Sequence, residues 1–120
     1  MGDEKAHKRK AAHNEAFLAL VQRNDAGPNF VFPDWLLTVA FYVALHHVDA
    51  KLANLVPPRH PSNHGERNTF VSTELPQQVA DDYLFLRSKS EYARYFPDSE
   101  KRMSPFMVNE CVNLALTKFL

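Results

Sequence analysis

The sequence has little cysteine and little glycine, and each shortage excludes a class of structure. Cys111 is the only cysteine in 120 residues, so no internal disulfide can form and a reducing, cytoplasmic environment is expected. With three glycines and little alternation of apolar and polar residues, strands are not predicted. The sequence has no Gly-x-Ser-x-Gly motif and no glycine-rich phosphate or dinucleotide loop, so several common catalytic classes lose their support.

An excess of charge of either sign is also missing. Lys plus Arg and Asp plus Glu number 14 each, so no global field attracts nucleic acid or an anionic membrane, although a local basic cleft remains open. The first ten residues lack the apolar region of a signal peptide. The longest apolar run is broken by polar residues and is not expected to cross a membrane. An apolar fraction of 45% predicts one soluble, folded domain over residues 1–120.

Proline positions divide the chain into predicted helices. The main helices are expected over 4–23, 34–55, 76–96 and 105–120, with a turn over 24–29. Three prolines within 57–61 exclude a helix there, and Asn63 with Glu66 resembles a capping box that would begin a short third helix. Ser104-Pro105 is typical of the start of a helix. The expected fold is all-α: an antiparallel bundle of four main helices with a short inserted helix.

A polar stripe marks the second predicted helix. At about 100° per residue, Tyr42, His46 and Asp49 lie on one narrow face between two apolar flanks. A solvated face would lie opposite the apolar one, so this stripe is expected to face a core, a cleft or an interface. It would serve either as a hydrogen-bonded relay or simply as a polar seam that fixes helix register. Candidate partners in the next segment are His60, His64 and Arg67.

The fourth predicted helix carries two arginines on one face. Arg87 and Arg94 are seven residues apart, and Glu91 is placed to pair with Arg87. With nearby tyrosines such as Tyr92, the arginines could hold a phosphate and stack a base, although a solvated helix explains them equally well. The His and Asp spacings match no metal signature, so neither a metal nor a cofactor is expected. An anion near Arg67, at the start of the third helix, is more plausible.

The order of these features resembles the HEPN domains, short helical bundles found across prokaryotes and named for nucleotide binding. The resemblance covers about 34–120. Its motifs are Ala-Phe-Tyr-x-Ala-Leu-His-x-x-Asp-Ala-x-Leu, a Pro/His loop ending in His64, Ala93-Arg94-Tyr95, and Asn113-Leu114-Ala115 in the last helix. Many HEPN proteins are metal-independent ribonucleases with an Arg followed after four to six residues by a His at a dimer cleft. Arg87 best matches that Arg, but Tyr92 stands where the His belongs. Arg59 and His64 have the spacing but lie in a Pro-rich turn.

The resemblance therefore implies a module that is non-catalytic and binds a nucleotide, an RNA element or a cognate protein. The expected ligand-binding residues are Tyr42, His46, Asp49, His64, Arg67, Arg87 and Tyr92. An alternative is a metal-independent ribonuclease of a toxin or defence system, in which His46 is the base and Arg87 or Arg67 stabilises the phosphate. A third alternative is a structural protein with no small-molecule site. A homodimer is expected, since apolar residues lie on more than one side of the second helix.

Overall fold

The computed structural model describes residues 4–24, 33–99 and 102–117, and these ranges contain five helices and no strand. The helices are α1 (Glu4–Asn24), α2 (Pro33–Ala53), α3 (His64–Glu74), α4 (Gln77–Tyr95) and α5 (Pro105–Thr117). The predicted all-α class is confirmed, and each of the five helices begins at a predicted boundary or one residue from it. The predicted turn after Asn24 lies outside the described residues, as does the end of the last predicted helix at 118–120.

Helix α2 is the centre of the core because it is apolar on nearly every side. Thirteen of its 21 residues are buried, and it packs against each of the other four helices. Phe41 and Val48 are fully buried within it. By length and composition α2 would also qualify as a membrane span, but most of it is enclosed by its neighbours. That enclosure is the arrangement of a core helix rather than of a span.

The apolar face predicted for α1 is displaced. The apolar pattern of the first helix predicts a core face with Ala12, Phe17, Leu20 and Val21. Ala12 and Phe17 are exposed, and Ala11 and Leu18 are buried instead, while the side chains of Leu20 and Val21 lie outside the described part of the chain. The reason lies in what α1 packs on, since its contact face includes polar residues that meet histidines of α2. A helix that docks partly through polar contacts does not show its inner face by hydropathy alone.

The caps that begin α3 and α5 form nearly as predicted. The Asn63 side chain accepts a hydrogen bond from the Glu66 amide at 2.8 Å. The Glu66 carboxylate returns a contact to the Ser62 amide at 3.0 Å, one residue earlier than in a standard capping box. Ser104 Oγ accepts from the Met107 amide at 3.1 Å. These caps set where α3 begins, and therefore where the side chains of its first turn lie.

Replacing the α3 cap should weaken the fold measurably. Asn63→Ala removes the acceptor for a helix-end amide and should lower the free energy of unfolding by about 1 kcal/mol, as measured by urea denaturation. Asn113→Ala, in the exposed middle of α5, is the control and should leave stability within about 0.5 kcal/mol. Equal effects of the two changes would show that the Asn63 contact does not stabilise α3.

Candidate functional site

A buried ion pair joins the polar stripe of α2 to α3. Arg67 Nε donates to Asp49 Oδ1 at 2.7 Å, and Arg67 Nη2 donates to Asp49 Oδ2 at 3.1 Å. The side chains are only 12% and 7% exposed, respectively. Burial alone would lower the pKa of the Arg67 guanidinium, but its hydrogen bonds to Asp49 and the charge of that carboxylate raise the pKa overall. The predicted contact between the stripe and Arg67 therefore exists, and it is bidentate.

Tyr83 of α4 closes the inner side of this pair. Its side chain is fully buried, and burial raises the pKa of Tyr83 to about 12, against the opposing effect of Arg67. The hydroxyl makes no hydrogen bond of ordinary geometry within the described residues, although it lies close enough to Arg67 and Asp49 to feel both charges. The apolar pattern of the fourth helix predicts Tyr83 as a core position only, but its hydroxyl adds a polar group to the buried end of the site.

One arginine contacts His64 at the start of α3, and the charges of two further arginines act on it. Arg67 Nη1 donates to His64 Nδ1 at 3.3 Å. Burial lowers the pKa of His64, and the charges of Arg67, Arg87 and Arg94 lower it further, in that order. We call His64, Arg67, Arg87 and Arg94 the basic cluster. An arginine can only donate, so the contact requires His64 Nδ1 to be the unprotonated acceptor, which leaves the proton on Nε2.

The arginines of the basic cluster differ in how their charges are neutralised. Arg67 is held by Asp49, and Arg87 pairs with Glu91 at 2.7 Å, as predicted. Arg94 has no ion pair among the described residues. Its guanidinium instead donates to the backbone carbonyl of Ser90 at 3.3 Å and reaches the Tyr42 hydroxyl at 3.5 Å. Arg94 therefore differs from Arg67 and Arg87, whose charges are paired with carboxylates.

A single aromatic ring lies under both His64 and Arg94. The fully buried Phe41 has its ring centroid 6.4 Å from that of His64 and 5.7 Å from the Arg94 guanidinium carbon. The Arg94 guanidinium also lies 5.2 Å from the centre of Tyr95, which is 72% exposed. Cation–π contacts of this kind hold a guanidinium in place without neutralising it.

His46 lies on another side of α2. Its Nδ1 is 3.3 Å from Nδ1 of His7 in α1, and the next residue, His47, contacts Glu15 of α1 through Nε2. Burial lowers the pKa of His46, and His7 lowers it further. The charge of Asp49 raises this pKa, and the charge of Arg67 lowers it. No hydrogen bond or ion pair joins His46 to Arg87 within the described residues, so that pairing in the ribonuclease alternative has no contact to support it, whereas Arg67 is close enough for its charge to act on His46.

Tyr92 is separated from the remaining predicted site residues. It lies five positions after Arg87, about 140° around α4, and its ring stacks on Phe96 at 5.0 Å. The structure thus brings together Tyr42, Asp49, His64, Arg67 and Arg87, turns His46 toward α1, and places Tyr92 in a different cleft. The site prediction omitted Arg94 and Phe41, although the seven-residue spacing of Arg87 and Arg94 had indicated a shared face.

The arrangement suits binding of an anion. Guanidinium groups and the Nε2 proton of His64 are donors without acceptor capacity, and they are ordered by contacts with Asp49, Tyr42 and Phe41. Among the described residues, no three His, Cys, Asp or Glu side chains are grouped as metal ligands would be. Cys111 is buried, and burial raises the pKa of its thiol to about 11, so a core role fits it better than that of a nucleophile.

Comparison with protein-family models, curated proteins and solved structures finds no match to this chain.

Breaking the buried ion pair should cost more stability than removing the histidine beside it. Asp49→Asn leaves the Arg67 charge largely buried and without a counter-charge, so the free energy of unfolding should fall by about 3 kcal/mol. His46→Ala removes a half-buried ring whose neighbours water can reach, and about 1 kcal/mol is expected. Urea denaturation of both variants tests the order, with Asp81→Asn on the exposed side of α4 as the control. A larger loss for His46→Ala would contradict the assignment.

Stability should also decrease as the pH falls through the histidine range. The pKa of His46 is below 6.5 in the folded protein, so the unfolded chain binds more protons and stability is lost below about pH 6.5. Urea denaturation between about pH 7.5 and about pH 5.5 should show this loss. His46→Gln should reduce the slope, whereas His60→Gln, at an exposed position, should not. Equal slopes in wild type and His46→Gln would exclude His46 as the cause.

Proposed function

We propose that this chain is an HEPN-like module that binds a phosphate group of RNA or of a nucleotide at the basic cluster. The proposal depends on the guanidinium group of Arg94. It is a partly buried guanidinium with no carboxylate partner among the described residues, and Tyr42 and Ser90 hold it in one orientation. A cation that is ordered but not neutralised is a suitable partner for an anion from solution.

The neighbours of Arg94 favour a phosphate over a single negative charge. Arg87 pairs with Glu91 at a partly exposed position, and an exposed pair of this kind contributes about 0–1 kcal/mol. A phosphate can therefore recruit Arg87 at small cost. His64 is exposed, and its Nε2 proton provides a further donor. Arg67 remains bound to Asp49 and orients His64 through their contact.

Aromatic residues next to Arg94 favour RNA with unpaired bases as the source of that phosphate. A cleft of about 120 Å³ between the start of α2 and the end of α4 is lined by Asp34, Trp35, Thr38, Ala93 and Arg94. Trp35 is 62% exposed, and Tyr95 is exposed on the other side of Arg94. Bases stack on exposed aromatic rings with little dependence on their identity, at about 1–3 kcal/mol per base.

The histidine geometry favours binding over cleavage. A general base needs a free lone pair, but Nδ1 of His64 already accepts from Arg67, and Nε2 carries the proton. His64 in this form donates to a phosphate oxygen and does not take a proton from a ribose hydroxyl. The Nδ1 atom of His46, the base in the ribonuclease alternative, contacts His7 of α1, which is not part of the basic cluster. We therefore propose a non-catalytic module, with the ribonuclease as an outcome of the test.

Removing the free guanidinium should weaken RNA binding. Labelled single-stranded RNA is titrated with protein in EDTA, and fluorescence anisotropy reports Kd. Loss of one charge-assisted contact, about 1.5–3 kcal/mol, predicts that Arg94→Gln raises Kd at least about tenfold. The matched control is Arg9→Gln, on an exposed position of α1, which should leave Kd unchanged within about twofold.

Other outcomes separate the alternatives. Equal Kd values for wild type, Arg94→Gln and Arg9→Gln would reject the basic cluster as the binding site. If the wild-type protein binds neither RNA nor a nucleotide, the remaining alternatives are binding of a cognate protein and a structural role. RNA cleavage in EDTA that is lost in His46→Ala would favour the ribonuclease.

A further inference from the structure

A second cleft lies on the flank of α4 that carries Tyr92. Its volume is about 300 Å³, and it is lined by Ser88, Lys89, Tyr92, Arg102 and Met107. The lining residues come from α4, from the turn before α5 and from the first turn of α5. Lys89 lies two positions after Arg87, about 200° around the helix, so the cleft is separate from the basic cluster. A volume of this size is at the lower end of the range for small-molecule sites.

The described residues that line this cleft carry positive charge. Lys89 and Arg102 both line it, and neither forms an ion pair within the described residues. The Lys89 ammonium lies 5.5 Å from the centre of the Phe85 ring, a contact that orders the side chain without removing its charge. No carboxylate is among the lining residues. Two cations that face one small cleft favour an anionic occupant.

The remaining lining residues provide an apolar surface with two hydroxyl groups. Tyr92 is half-buried and its ring is held against Phe96, while Met107 is half-buried at the start of α5. A flat aromatic ring next to a thioether packs well on an organic group. The hydroxyl groups of Ser88 and Tyr92 can donate hydrogen bonds to an anion.

We propose that this cleft binds a small organic anion, in which a phosphate or carboxylate group is attached to an aromatic or apolar body. Lys89 and Arg102 bind the anionic group, and Tyr92 and Met107 pack on the body. The site is independent of the basic cluster and of RNA binding there. It gives the module a small-molecule ligand in addition to its proposed nucleic-acid ligand.

The test uses the whole chain, labelled with ¹⁵N, and follows backbone amide shifts during titration. Phenyl phosphate and benzoate are the anionic probes, and benzyl alcohol is the uncharged control of similar size. We expect saturable shifts at Ser88, Lys89, Tyr92 and Met107 with at least one anion below about 10 mM. Whichever anion binds more tightly identifies the group as a phosphate monoester or a carboxylate. Inorganic phosphate, which lacks the organic body, should bind at least about tenfold more weakly than phenyl phosphate.

Substitutions then test whether the anionic probe binds in this cleft. Arg102 is exposed, so Arg102→Gln should keep the fold and raise the Kd obtained from the cleft amides at least about tenfold, whereas Arg9→Gln, at an exposed position of α1, should leave that Kd unchanged. Equal binding of benzyl alcohol would overturn the proposal, because the site would then be apolar and not anionic. Shifts that map only to His64 and Arg94, or no saturable shift at the cleft residues with either anion, would overturn it as well.

Discussion

A carboxylate on the central helix has to be neutralised, and much of the structure follows from how this is done. Asp49 points away from water on a helix that four other helices surround. An isolated buried carboxylate would cost several kcal/mol. Arg67 meets it through two hydrogen bonds, and this contact fixes α3 against α2. Since His64 lies one turn before Arg67, the same contact fixes where the histidine of the basic cluster stands.

Two polar contacts between α1 and α2 also pair partly buried polar groups across helices, but with weaker groups than Asp49 and Arg67. His7 and Glu15 lie eight residues apart, and each meets one of the adjacent histidines of α2. Only Ala11 and Leu18 are fully buried among the side chains described in α1. Among the described side chains, α1 is therefore attached to α2 through imidazole groups and one carboxylate as well as through these two apolar residues. Helices α2, α4 and α5 are packed together mainly by apolar side chains.

Sequence reasoning predicted the helices well because prolines and caps are local signals. Pro33, Pro76 and Pro105 each stand at or beside a helix start, and Asn63 and Ser104 accept the predicted cap hydrogen bonds. It also predicted that the polar stripe is not solvated. In the structure Asp49 is buried, and Tyr42 and His46 are half-buried. It did not predict that the stripe divides, with Tyr42, His46 and Asp49 contacting three different helices. Which helix faces which stripe depends on long-range packing, and residues such as Arg94 and His7 acquire their partners only there.

The composition of α2 has a consequence for the nascent chain. Thirteen residues of this helix are buried by elements on both sides of it in sequence, and α4 and α5 leave the ribosome after it. While those helices are still being synthesised, α2 presents an apolar surface comparable to that of a bilayer span. Such a surface is a target for chaperones and for self-association. The helix that organises the finished core is thus the segment that most needs protection during translation.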